Sequence, residues 1–182
     1  MKIYSLNIPD VLCFEPEIFS DNRGFFFESY NKKKYDLAFG RKINFVQENQ
    51  SESSLGTLRG LHYQIPPLAQ SKLVSVVEGE VFDVAIDIRK SSPTFGKHVS
   101  VVLSEKNKKQ LYIPEGFAHG FLTLSKSAIF QYKTNKFYSS DLERGIIWND
   151  PHLNILWPIE KHPILSAKDA SNKPFIFSEF FK

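Results

Sequence analysis

Three short stretches of the chain hold side chains able to move a proton or bind an anion. In Gly56-Thr-Leu-Arg-Gly-Leu-His-Tyr-Gln64, Arg59 and His62 occupy a strand-like run that Pro66-Pro67 closes. In Ile113-Pro-Glu-Gly-Phe-Ala-His-Gly-Phe121, Pro114 and Gly116 set a turn and His119 follows among apolar neighbours. In Lys72–Arg89, Asp83 and Asp87 alternate with Phe82, Val84, Ile86 and Ile88. An imidazole titrates near neutrality, so either His could take up or release a proton at cellular pH. Lys72 could serve as a cation held in place by an acidic partner. Each group also has a structural reading. A lone His in a strand can be a hydrogen-bonded scaffold residue. Asp83 and Lys72 could form a surface ion pair worth ~0–1 kcal/mol. Tyr132, which shares a strand face with Phe130 and Thr134, could be a core aromatic with its hydroxyl at the rim.

The elements that must position these residues are mostly strands. The alternation over Glu80–Arg89 has period two, and Glu78-Gly79 allows a tight turn, so Lys72–Val77 and Glu80–Arg89 are expected to form a hairpin. With Val74 opposite Asp83, Lys72 would lie diagonal to Asp83 on one face. A second hairpin is expected from Val99–Leu103 and Gln110–Ile113. Further strands are expected at Gly120–Leu124, Ala128–Thr134 and Gly145–Trp148. One helix is predicted over Lys32–Phe39, stopped by Gly40, and a short one begins near Ser166. The aromatic end (Phe175, Phe177, Phe180, Phe181) should pack on something. Many short strands with regular turns predict an all-β double-sheet jelly roll with a few short peripheral helices and a barrel mouth for a ligand.

Composition narrows the function classes. The 182 residues fit one domain, and 42% apolar content is enough for a buried core. Aromatics reach 14%, mostly Phe, which tilts the reading further towards strands. No apolar run approaches the ~20 residues of a membrane span, and the first residues lack a signal-peptide core. Cys13 is the only cysteine, so no intrachain disulfide forms and the cytoplasm is the expected compartment. The net charge of +3 is carried partly by Lys32–Lys34 and Lys106–Lys109, which lack interleaved aromatics and read as solvated faces rather than nucleic-acid contacts.

Gly56, five intervening residues and His62, followed later by Pro114-x-Gly116-x-x-His119, resemble the two motifs of the cupin family. Metal-binding cupins continue the first motif as His-x-His and then Glu. Here Gln64 takes the second His position, and Leu68 and Ala69 stand where the Glu belongs. A transition-metal site needs three or more converging ligands. The resemblance therefore implies a cupin-type barrel that works without metal.

A closer resemblance covers nearly the whole chain. Phe19–Glu28, Phe45–Asn49, Leu58–Gln64, Lys72–Val74, Gly79–Gly96, Ile113–Phe121, Trp148–Asp150 and Leu165–Asp169 are similar, in order and spacing, to the dTDP-4-dehydrorhamnose 3,5-epimerase family. Beyond Ala170 no family pattern is visible. The resemblance implies a dTDP-linked 4-keto-6-deoxyhexose as substrate and activated L-rhamnose synthesis for surface polysaccharide as the pathway. It implies no cofactor, and the chain has no dinucleotide fingerprint or phosphate-cradling Gly loop. It assigns His62 as base, Asp169 as its carboxylate partner, Tyr132 as acid, and Lys72 as enolate partner oriented by Asp83. His119 would border the sugar. Arg23, Arg59 and Lys168 match ligand-contacting positions, Glu28, Gln47 and Asn49 nucleotide and sugar contacts, and Tyr138 and Glu143 contacts in the loop after Tyr132. The family's N-terminal strands cross to a partner in a homodimer, so Arg23 and Glu28 would serve the neighbouring site. A single-centre epimerase, a non-catalytic nucleotide-sugar binding module and a metal-dependent cupin enzyme are the competing readings.

Overall fold

The computed structural model describes residues 1–182. The strands are β1 (Lys2–Ser5), β2 (Leu12–Glu15), β3 (Phe19–Asp21), β4 (Gly24–Phe26), β5 (Gln47–Ser54), β6 (Leu58–Gln64), β7 (Lys72–Glu78), β8 (Glu80–Asp87), β9 (His98–Ser104), β10 (Gln110–Ile113), β11 (Phe117–Thr123), β12 (Ser127–Thr134) and β13 (Glu143–Gly145). The helices are α1 (Lys32–Phe39) and α2 (Ala167–Ala170). Six strands form one sheet in the order β1-β2-β10-β7-β12-β5, and five form a second in the order β13-β6-β11-β8-β9. β3 and β4 pair as a separate ribbon. This is the expected jelly roll. No helix is long and apolar enough to cross a membrane.

The two expected hairpins do not form. β7 belongs to the six-stranded sheet and β8 to the five-stranded sheet, and β9 and β10 are divided in the same way. At Gly79 the chain leaves one sheet for the other with φ +79°, and a Cβ there would lie 2.1 Å from the Ser127 carbonyl oxygen. Lys72 and Asp83 therefore sit in opposite sheets rather than on neighbouring strands.

Period-two alternation decides what each sheet shows to the interior. Val74 and Val76 of β7, Ala128 and Phe130 of β12, Val81 and Ala85 of β8, and Phe117 and Phe121 of β11 meet in the core between the sheets. The rings of Phe121 and Phe130 stack across the sheets with centroids 4.1 Å apart. Residues one step out of phase face outward. Leu61, Tyr63, Val84, Ile86 and Ala118 form an outer cluster covered by Ile146, Leu153 and Phe175, with Phe180 and Phe181 against it. The aromatic end of the chain is thus the lid of the five-stranded sheet. On the other side, Phe14, Leu73 and Tyr112 are covered by Tyr35 of α1 and by Ile43. Asp83, in phase with Val81 and Ala85, is fully buried, so the solvent-facing reading of that residue is overturned.

Both predicted helices form. The Asn31 side chain accepts from the Lys34 N–H at the start of α1, and Gly40 ends it with φ +65°. Ser166 caps α2 by accepting from the Asp169 N–H.

Candidate active site

The same inward phase that builds the core lines a cavity of about 280 Å³ at one end of the barrel. The five-stranded sheet contributes Arg59 and His62 from β6 and His119 from β11; the six-stranded sheet contributes Asn49 from β5, Lys72 from β7 and Tyr132 from β12. Lys168 and Asp169 reach it from α2. His62 and Tyr132 thus stand on two walls of one cavity, each on a different sheet.

β6 and β11 approach so closely that side chains are excluded between them. A Cβ on Gly60, whose φ is +138°, would lie 2.6 Å from the Gly120 Cα, and one on Gly120 would lie 2.7 Å from the Arg59 carbonyl oxygen. A register shift follows between His119 and Phe121, and His62 pairs directly with His119. Two glycines therefore seat the two imidazoles side by side.

Each imidazole has its own carboxylate. His62 Nε2 donates to Asp169 Oδ1. When the ring carries one proton, that bond places it on Nε2 and leaves Nδ1 free to accept another. Burial pushes the Asp169 carboxyl up, but the bond and charge of His62 outweigh it, and the net shift is downward. His119 Nε2 donates to Asp83 Oδ2 at 2.9 Å. Burial lowers the His119 pKa against the opposing pull of Asp83. The direct contact by which Asp83 would orient Lys72 is not formed. Lys72 Nζ donates instead to the His62 carbonyl at 3.3 Å, and Asp83 Oδ2 is taken by His119. Asp83 acts on Lys72 only through its charge, and burial brings the ammonium down to about 8 despite it. Burial raises the Tyr132 phenol, with Asn49 opposing the rise, so its proton is retained through the neutral range.

The rim is a chain of polar contacts. Lys168 Nζ lies 2.5 Å from Glu143 Oε2, and the Tyr138 hydroxyl donates to the same carboxylate at 2.5 Å. Arg59 donates to Ser53 Oγ and to the Glu52 carbonyl. Gln47 does not line the cavity; it donates to Asn49 Oδ1 at 2.9 Å and accepts from the Tyr138 N–H at 2.9 Å. Arg23 and Glu28 are not brought in. Arg23 pairs with Asp21 beside the β3–β4 ribbon, and Glu28 pairs with Lys34. Five lining residues are not among the expected site residues: Gln50, Ser51, Phe121, Phe130 and Ser166. Gln50 and Ser51 line the cavity without any residue-type signal. Ser166 fixes the Asp169 backbone, and its Ser-x-x-Asp spacing is the signature of a helix start.

This arrangement suits proton transfer at carbon next to a carbonyl: an imidazole backed by a carboxylate on one wall, and a protonated phenol with a neighbouring ammonium on the other. No three His, Cys, Asp or Glu side chains are grouped as metal ligands. A family model described as dTDP-4-dehydrorhamnose 3,5-epimerase matches residues 5–176. The dTDP-4-dehydrorhamnose 3,5-epimerase of Shigella flexneri is 59% identical over 181 residues, covering 100% of this chain and 99% of the relative. A dTDP-6-deoxy-D-glucose-3,5-epimerase from Legionella pneumophila Philadelphia 1, solved with dTDP-4-keto-L-rhamnose, superposes with a TM-score of 0.95 at 48% identity, covering 98% of this chain and 94% of that one. A 3'-monoepimerase from Streptomyces bikiniensis, solved with dTDP-quinovose, gives a TM-score of 0.89 at 34% identity, covering 94% and 86%. The chain belongs to the dTDP-4-dehydrorhamnose 3,5-epimerase family.

Proposed function

We propose that this chain inverts C3 and C5 of dTDP-4-dehydro-6-deoxy-D-glucose, giving dTDP-4-dehydro-L-rhamnose. The observation that carries the reading is the placement of His62 and Tyr132 on different sheets around one cavity. The C4 carbonyl acidifies the hydrogens on C3 and C5. His62 Nδ1 takes one of them, and Asp169 stabilises the imidazolium that forms. The electron pair moves onto O4, where the Lys72 ammonium and His119 meet the growing negative charge. Those contacts strengthen as the charge develops, which lowers the barrier rather than only tightening binding. Tyr132 then returns a proton from the opposite face, and the centre is inverted. Neither inversion changes an oxidation state, so the chemistry is proton traffic alone.

Arg59 and Lys168 supply cations for the diphosphate, a guanidinium being suited to forked bonds with phosphate oxygens. The ribbon β3–β4 leaves Phe19, Phe25 and Phe26 exposed, and this apolar surface supports a homodimer in which Arg23 and Glu28 reach the neighbouring cavity. In that reading the β3–β4 ribbon is the exchanged part, since β2 pairs with β10 and β1 pairs with β2 within the chain. Sedimentation should give twice the 21.0 kDa chain mass, and a 21.0 kDa species at working concentration would remove the dimer.

Solvent exchange tests the reaction itself. Product formed in deuterated water should carry two deuterons, at C3 and C5, with both centres inverted. A single deuteron would make the chain a one-centre epimerase like its Streptomyces relative. None, with tight binding of the nucleotide sugar, would make it a binding module.

A further inference from the structure

Gln64, which replaces the second His of the metal-binding cupin pattern, is left unused by the chemistry above. It is 3% exposed and sits at the end of β6, two residues beyond His62. Its side-chain amide is spent on one loop. Nε2 donates to the Phe137 carbonyl at 3.2 Å, and the Ser139 N–H donates to Oε1 at 2.7 Å. The amide therefore grips the backbone on both sides of Tyr138. Nε2 also donates to the Leu68 carbonyl at 2.7 Å, which ties the grip to the loop after β6. Nothing else in a buried position contacts the peptide groups on both sides of that residue in this way. Tyr138 itself is 54% exposed, and its hydroxyl reaches Glu143, the partner of Lys168 at the cavity rim.

We propose that Gln64 is a positioning residue that presets the Tyr138 loop at the mouth of the cavity, and so sets affinity for the nucleotide end of the substrate without taking part in proton transfer. This rests on the reading that Tyr138 contacts the nucleotide. A backbone segment held in its bound conformation before the ligand arrives loses less freedom on binding. Where a metal cupin holds an ion at this strand position, this chain holds a loop.

A double-variant cycle with thymidine diphosphate as the calorimetric probe tests the proposal. Gln64→Leu removes all three bonds at similar volume. It should weaken thymidine diphosphate by about tenfold and raise KM by a similar factor, while kcat stays within about threefold. Tyr138→Ala alone should weaken binding as much or more. The double variant should bind no worse than Tyr138→Ala, because Gln64 acts through the loop that carries the ring. Additive losses, or a fall in kcat with KM unchanged, would overturn the proposal. If Tyr138→Ala binds as the parent does, the failure lies in the nucleotide reading of Tyr138 and not in the clamp. Gln64→Met, which also lacks the donor and the amide oxygen at similar volume, should weaken binding to the same degree, and it carries the same cycle should Gln64→Leu fold poorly.

Discussion

Lys72 is a cavity side chain whose charge is poised to change within the working range of an enzyme. Burial holds its ammonium at about 8, with Asp83 and Glu143 resisting the fall. The protonated form is the one that can meet the O4 charge, so the direction is fixed: activity is present below that value and lost as pH rises through it. Tyr132 cannot be the cause, since its phenol is shifted upward and stays protonated there. We expect kcat/KM to halve near pH 8 and to fall about tenfold per further unit. In Lys72→Met the residual rate should be flat across the same range, and a limb that persists in the variant would belong to another group. Much of the cavity lining was legible in the amino-acid order. His62 and His119 stand in recognisable motifs, and their neighbours alternate as strand residues should. The pairing of Asp83 with His119 was not legible, because it joins β8 to β11 across 36 positions and depends on which strands become neighbours.

That dependence on neighbours is also why the turn at Gly79 misled. A glycine between two alternating runs is the local signal for a hairpin, and the same backbone freedom lets a chain switch sheets. Only the non-local pairings of β7 with β10 and β12, and of β8 with β9 and β11, decide between the two. Helix signals are local in the stricter sense, so Gly40 and Ser166 marked α1 and α2 correctly. The close approach of β6 to β11 makes its own prediction. In Gly60→Ala the new methyl meets the Gly120 backbone and a φ of +138° that L residues avoid. Unfolding in urea should show a loss of about 2–4 kcal/mol, together with lower activity as His62 shifts from His119. An unchanged midpoint would mean the strands separate without cost and that the glycines do not seat the imidazoles.

The barrel is held closed by three apolar clusters, one between the sheets and one on each outer face. The chain end supplies the cover for one of them, which no period in Phe175–Phe181 announces; its role is set by the surface it finds. A polar pin joins these layers at the edge of β8. Asp87, fully buried, accepts from Arg89, Ser92 and Thr94, and Arg89 reaches on to Asp10 at 2.7 Å and over the Phe117 ring. Burial alone would raise the Asp87 carboxyl; the bonds from Arg89, Ser92 and Thr94 outweigh it and bring the pKa down to about 2. A lowered carboxyl stabilises the fold above its ordinary value, and that contribution is lost as pH falls from about 4 through about 2. The shift corresponds to about 2–3 kcal/mol. Asp87→Asn should flatten the stability curve in that acid window. A slope equal to that of the parent would move the acid sensitivity to other carboxyls.

Two facing sheets also give the cavity two walls, and the proposed inversion depends most on that opposition. Its most direct measurement is solvent deuterium uptake paired with stereochemistry in two variants. His62→Ala should take up no deuterium at C3 or C5. Tyr132→Phe should exchange both hydrogens slowly through His62, yet return them to the face they left, so that label enters while configuration is retained. Exchange in His62→Ala at the parent rate, or inversion of both centres by Tyr132→Phe at the parent rate, would contradict the assignment of base and acid to opposite walls.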